Sequence, residues 1–423
     1  MKERTRQQGI AFVSSFAPRK CGIATFTGDL IANLAPTVDS SHRPFVVAME
    51  SDGGFRFSPP VEYSIRKDSA RDYAQAGSYI NFRAPQVVSL QHEFGLFGGA
   101  GGSHVCRLVE GLDAPLVTTL HTVLEDPSPA QRESLRHICA RSDAIVVMNM
   151  RGLDMLTDLY DVPAHKVRLI PHGIPDLLQD GDQARRQLGL GQRKVILTFG
   201  LISRNKGIEV MLRAMPTIVK AHPDVLYIVV GTTHPEVIKH EGYSYLHQLR
   251  QLVRELDLRE HVVFHDAFVS AETLRTFLQA APVYVTPYLH KEQLTSGTLA
   301  FAVGAGKAVV STPYWAAEEL LAHGRGRLVP FGDSQRMAME IVRLFDDTKR
   351  LKALQDRAYA YGRSITWPKV ALAYRDLFLE VSQKPRTHRH APAGTELMAR
   401  TNVAVGRLKA VSLAAGVLQG TSH

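Results

Sequence analysis

The stretch KVILTFGLISRNKGIEV, residues 194–210, decides the fold. Val195 to Phe199 form a short apolar run bounded by Gly200, which suits a strand covered on both faces. From Lys206 onward apolar positions recur at helical spacing, so the strand passes through a turn into a helix. Outward from this unit, strands are expected over 225–231, 261–264, 283–287 and 308–311, with helices over 206–221, 245–256, 270–280 and 298–304. The first half repeats the alternation: strands over 10–16, 44–48, 87–91, 116–120 and 144–148, with helices over 27–34, 72–82 and 130–140 between them. Such alternation is the mark of parallel α/β architecture. The fold class is α/β, with two Rossmann-like, doubly wound parallel-sheet domains facing a cleft, where ligands of such folds bind.

Turn formers at 176–192 (DLLQDGDQARRQLGLGQ) mark the junction. The expected boundaries are a first domain at 1–180, a second at 190–365, a closing helix at 366–383 and a basic tail at 384–423 that includes a weak helical pattern over 396–418. A chain of 423 residues, 45% hydrophobic and 22% charged, has room for two cores and is not compositionally disordered. No apolar run approaches the roughly 20 residues of a membrane span, and the polar start does not resemble a signal peptide, which points to the cytoplasm. Cys21, Cys106 and Cys139 form no CxxC pair and no zinc-ligand spacing, so neither a disulfide framework nor a metal site is expected. Of the net charge of +9, the tail carries +5 and the first eight residues +2. The remaining +2 calls for no nucleic-acid partner, although the tail suits weak association with an anionic surface.

Dehydrogenase and P-loop signatures fail on spacing. Gly304 and Gly306 start a GxG whose third glycine is Val309; Gly306-Lys307 lacks the following Ser/Thr, and Phe301 stands in place of the first glycine. At the end of the decisive strand, Arg204 and Lys206 place two cations beside a turn, a pattern suited to a diphosphate. A solvated helix start is the competing reading. Thr295-Ser296-Gly297-Thr298, between a strand and a helix, offer hydroxyls and free backbone N–H groups to a second anion contact. In the first half, Gln91-His92-Glu93 ends a strand before the glycine cluster 98–102. His92 is read as an acceptor-side contact and Glu93 as catalytic, with a structural hydrogen-bonded pair as the alternative; Leu96 breaks the HExxH zinc-protease pattern.

These pieces, in this order, resemble the retaining glycosyltransferases of the GT-B fold, family 4 or group 1, over roughly residues 10–383. The resemblance rests on RKCGIATF (19–26), TLH (119–121), IPHG (170–173), residues 200–207, GAGKAVV (304–310) and the helix at Trp367. It implies a hexosyltransferase that uses a nucleotide-sugar donor and an acceptor hydroxyl, with no cofactor. It also implies roles: Gly22 for the loop closing on the donor phosphates, His121 for the donor sugar, Arg204 and Lys206 for the diphosphate, and Phe268 and Val269 for the nucleotide base. The family's Glu-x7-Glu pair is altered here. Gln293 and Phe301 occupy its positions, leaving Glu292 as the candidate catalytic carboxylate and Glu318 or Glu319 as substitutes at the ribose. A nucleotide-sugar 2-epimerase and a non-catalytic sugar or nucleotide binder remain open alternatives, as does the choice among UDP, GDP and ADP.

Overall fold

The apolar runs read as strands assemble into two parallel sheets in the computed structural model, which describes residues 9–39, 42–50, 54–177 and 181–384. The first sheet contains β1 (Ile10–Ser14), β2 (Pro44–Glu50), β3 (Val61–Arg66), β4 (Val87–His92), β5 (Leu116–Leu120), β6 (Ala144–Val147) and β7 (Val167–Leu169), in the order β3-β2-β1-β4-β5-β6-β7. The second contains β8 (Lys194–Phe199), β9 (Val225–Val230), β10 (Val262–His265), β11 (Val283–Thr286), β12 (Ala308–Ser311) and β13 (Gly326–Leu328), in the order β10-β9-β8-β11-β12-β13. All pairings are parallel. In each sheet the order reverses once, at β1/β4 and at β8/β11, and the crevice beyond those strand ends is where a doubly wound fold receives a ligand.

Both faces of each sheet are covered, which is why the strands read as continuous apolar runs rather than alternating ones. In β1, Ile10 and Phe12 enter one apolar layer while Ala11 and Val13 enter the other. In β8, Ile196 faces one layer and Val195 and Leu197 the opposite one. Each such side chain, fully buried, contributes about 1.5–3 kcal/mol.

The closing helix, Trp367–Gln383, follows the second sheet in sequence but packs on the first. Trp367, Val370, Tyr374, Phe378 and Val381 share a layer with Phe12, Phe26 and Leu30. The Trp367 N–H donates to the Ile174 carbonyl at 2.8 Å, and Ile174 N–H donates to the Ile365 carbonyl at 3.0 Å, tying the returning chain to the junction. The described residues up to Ser382 form one unit that holds both sheets. The expected basic tail and its weak helix lie outside the described residues, apart from Lys384.

Three strands absent from the sequence reading, β3, β7 and β13, lie at or beside sheet edges, where half-exposed residues such as Glu62, Arg168 and Arg327 dilute the apolar signal. The junction, read as turns, contains a helical segment, Gly181–Gln187. The glycine cluster at 98–102 is a packing device: a Cβ on Gly98 would stand 2.1 Å from the Lys67 carbonyl oxygen.

Candidate active site

Lys206 is aimed by the turn that follows β8. Gly207, at φ +58°, passes so close to the chain after β11 that a Cβ would stand 2.1 Å from the Pro287 carbonyl oxygen. That approach carries the half-buried Lys206 over Tyr288: Nζ donates to the phenol oxygen at 2.6 Å and lies 4.0 Å from the ring centroid. The Tyr288 hydroxyl is 3.1 Å from Thr298 Oγ1, which is 3.3 Å from Ser296 Oγ. Ser296 caps the helix Gly297–Gly304 by accepting the Leu299 N–H at 3.4 Å. Thr295 Oγ1 is buried without a hydrogen-bond partner, and a Cβ on Gly200 would lie 3.1 Å from the Thr298 methyl. One cation, the hydroxyls of Tyr288, Ser296 and Thr298 and a helix start therefore converge at the carboxyl ends of β8 and β11, an arrangement suited to an anion.

Arg204 does not join them. Its Nε donates to Glu241 Oε2 at 2.8 Å and its Nη1 to Gln248 Oε1 at 3.1 Å, both exposed bonds, and the guanidinium lies over the Tyr245 ring. Glu292 is exposed, and Gln293 turns inward to donate to the Thr295 carbonyl at 3.3 Å. Phe301 packs against His172, with ring centroids 5.9 Å apart, and against Phe199. Glu319 receives the Met150 N–H on both carboxylate oxygens, at 3.0 and 2.9 Å, so it caps a first-domain helix instead of facing a ribose. Phe268 is 46% exposed, with Lys20 Nζ 5.7 Å from its ring centroid, while Val269 packs against the second-domain core.

On the first-domain side, Gly22 begins the helix Gly22–Leu34, capped by Cys21, and a Cβ there would meet nothing within 4 Å. The turn therefore leaves room for a ligand beside the helix start. His121 lies next to Gln91. Gln91 donates its amide Nε2 to Ser89 Oγ at 3.1 Å, so its carbonyl faces the imidazole and accepts from His121 Nε2 at 3.0 Å. This assigns the proton to Nε2 and leaves Nδ1 with its lone pair. Burial, with smaller contributions from His172 and His92, pulls the His121 pKa down to about 3. His172 is likewise held down to about 4 by burial. The Phe26 ring lies between the two, 4.9 Å and 5.1 Å from their centroids and edge-on to both.

Glu93 accepts from the Thr122 hydroxyl and from the N–H groups of Gly95 and Phe94; burial nevertheless pushes its pKa up. His92 has no accessible surface: it is packed against Phe94 and Phe97, and neither ring nitrogen has a partner. In this arrangement it offers nothing to an acceptor. Residues missed in the sequence include Tyr288, two positions beyond the end of β11, and His172, both detectable only as strand-end or junction residues facing the crevice. A set of contacts joins the two domains: Asn149 donates to the Leu294 carbonyl, Arg151 lies 4.3 Å over the Trp315 ring, and Glu319 caps Met150. Among the described residues no group of three or more His, Cys, Asp or Glu could hold a metal ion, and no helix is long and apolar enough to cross a membrane.

Comparison with known proteins agrees with the two-sheet fold. Residues 22–176 match the family model for Glycosyltransferase Family 4, and residues 193–347 match that for Glycosyl transferases group 1. D-inositol 3-phosphate glycosyltransferase of Segniliparus rotundus is 26% identical over 281 residues, 62% of this chain and 60% of that protein. Phosphatidyl-myo-inositol mannosyltransferase of Mycolicibacterium smegmatis is 29% identical over 175 residues, 40% of this chain and 41% of that protein. The chain thus spans about 60% of the length of the first of these curated relatives. Among solved structures, sucrose-phosphate synthase of Thermosynechococcus elongatus superposes with a TM-score of 0.71 at 19% identity, covering 88% of this chain and 98% of that one. HepE of Anabaena, in complex with UDP and glucose, gives 0.68 at 18% identity, covering 88% and 100%. The fold is GT-B.

Proposed function

We propose that this GT-B chain, matched along both of its domains by glycosyltransferase family models, moves a hexose from a nucleotide-sugar donor to an acceptor hydroxyl with retention of anomeric configuration. The observation that carries the reading is the convergence of Lys206, Tyr288, Ser296, Thr298 and a helix start at the carboxyl ends of β8 and β11. A diphosphate leaving group gains negative charge as its bond to the anomeric carbon breaks. Fixed donors already aimed at that charge stabilise it more in the transition state than in the ground state.

The neutral His121, held by Gln91, presents Nδ1 as an acceptor for a sugar hydroxyl. Gly22 leaves room for the donor beside the first-domain helix start, and exposed Phe268 is the base contact. Glu292 reaches the sugar only with a shift of its own loop. The acceptor oxygen bonds the anomeric carbon on the face from which the diphosphate departs, its hydroxyl proton passing to the departing phosphate oxygen as the carbon–oxygen bond to the diphosphate breaks, and domain closure excludes water as the competing nucleophile. Because protein donors meet the diphosphate, the reading calls for no metal.

The 2-epimerase alternative needs an acid and a base facing the crevice. The present arrangement disfavours it, because Glu93 is held by three donors and His121 is held by Gln91. HepE is in complex with UDP, so UDP-hexoses are the first donors to test, followed by GDP- and ADP-hexoses. Incubation with labelled donors, with and without EDTA, is expected to yield transfer or slow donor hydrolysis, and NMR of the product to show the donor's anomeric configuration. An isomerised donor, or tight binding with no turnover, would overturn the reading.

A further inference from the structure

We infer that Arg19, carried by the first domain, is the second cation of the diphosphate site, so that the site is complete only when the two domains meet across the ligand. The inference rests on the transferase reading above and assigns a residue that the reading lacks. With Arg204 paired to Glu241 and Gln248, Lys206 is the only cation left at the end of β8 among the described residues. A nucleotide-sugar diphosphate carries about two negative charges, so one ammonium leaves it under-neutralised.

Arg19 lies on the turn between β1 and the helix Gly22–Leu34, at the switch-point edge of the first sheet, where its N–H donates to the Phe16 carbonyl at 3.0 Å. Its side chain is half-buried, and Nη1 is buried with no hydrogen-bond partner among the described residues. A buried guanidinium nitrogen without an acceptor is costly and calls for a ligand or an ordered water. The neighbouring Lys20 lies over Phe268 of the second domain, which brings this turn against the opposite wall. His234 lies within electrostatic reach of both cations: burial lowers its pKa, Glu236 opposes that, and Lys206 and then Arg19 add to the lowering. An arginine fork suits two oxygens of one phosphate or one oxygen from each of two adjoining phosphates, and the second mode exists only in a diphosphate.

The test is calorimetric titration of the full chain with UDP and with UMP, using GDP/GMP or ADP/AMP if one of those diphosphates gives the largest thermal shift. Arg19→Ala is expected to weaken diphosphate binding by about tenfold to a hundredfold and monophosphate binding by less than about threefold, so that the ratio between them collapses. Arg19→Lys should recover part of the ratio, and Arg204→Ala should leave it unchanged. If Arg19→Ala folds poorly, Arg19→Gln, which keeps the length and polarity, takes its place. Wild-type diphosphate affinity in the alanine or glutamine variant, or equal losses for diphosphate and monophosphate, would overturn the assignment. Failure of the wild-type protein to bind any of the three diphosphates is a different result: it would overturn the transferase reading, and this inference with it.

Discussion

Lys206→Ala should separate catalysis from stability. In the folded protein the ammonium contributes one hydrogen bond to Tyr288 and one contact with its ring, each worth about 0.5–1.5 kcal/mol at a half-buried site. Removing it leaves the Tyr288 hydroxyl bonded to Thr298, so no buried phenol is orphaned and the expected loss of stability is about 1–2 kcal/mol. In the transition state the same ammonium faces a leaving group gaining charge, and deletion of one such donor costs about 2.7–4 kcal/mol, or 10²–10³ in kcat. Arg204→Ala is the internal comparison. Its exposed pair with Glu241 is worth at most about 1 kcal/mol, and turnover should change by less than about threefold. Initial rates at saturating donor, beside urea unfolding of each variant, measure both quantities. Lys206→Ala turning over within threefold of wild type, or Arg204→Ala as impaired as Lys206→Ala, would refute the assignment of the diphosphate to the inner face of the turn.

With Phe301 unable to accept a hydrogen bond and Glu319 engaged by Met150, 2′-deoxy nucleoside diphosphates should bind within about tenfold of the ribose forms; calorimetry showing stronger rejection would place another acceptor at the sugar. Glu319→Ala removes a carboxylate from the start of the helix Met150–Tyr160 and should cost about 0.5–2 kcal/mol while letting the domains separate, read as a lower urea midpoint and a larger radius of gyration by X-ray scattering; no change in either would show that this cap holds nothing together. Acid should destabilise the fold before the carboxylates protonate. His92, His121 and His172, held down to about 4, 3 and 4, bind fewer protons folded than unfolded once pH falls below about 6.5. Stability is then lost with decreasing pH, at up to about 1.4 kcal/mol per pH unit for each histidine. Asp29 opposes part of this between about pH 6 and 4, because burial raises its pKa to about 6 and the folded chain holds that proton more tightly. Urea midpoints that do not move between pH 7 and 5 would contradict the burial of the three imidazoles.

The strands that build each sheet were legible because burial on both faces leaves uninterrupted runs such as Val195–Phe199 and Val225–Val230. Three of the four edge strands, β3, β7 and β13, were not: β13 is three residues long and carries the half-exposed Arg327. The place of Lys206 in the turn after a strand was legible. The direction of Arg204 was not, because it depends on Glu241, 37 residues away on another helix. The Glu319–Met150 contact spans 169 residues, and no local pattern announces it. The burial of His92 was not legible for a different reason. A strand-end position faces the crevice only if the following loop leaves it open, and here the turn Phe94–Leu96 folds back, so that Phe94 and Phe97 cover the ring.

The helix Trp367–Gln383 also imposes an order on the protein's birth at the ribosome. The first sheet is finished by Leu169, yet one of its two apolar coats includes Trp367, Tyr374 and Phe378, which are translated roughly 190 residues after the junction. At about 5–20 residues per second, Phe12 and Phe26 wait on the order of 10–40 s for that coat. During that interval the nascent domain presents an uncovered aromatic face, a natural target for chaperones and a hazard when many ribosomes crowd one message. A stop codon just before Trp367 would make that interval permanent, in a chain whose second sheet is otherwise intact.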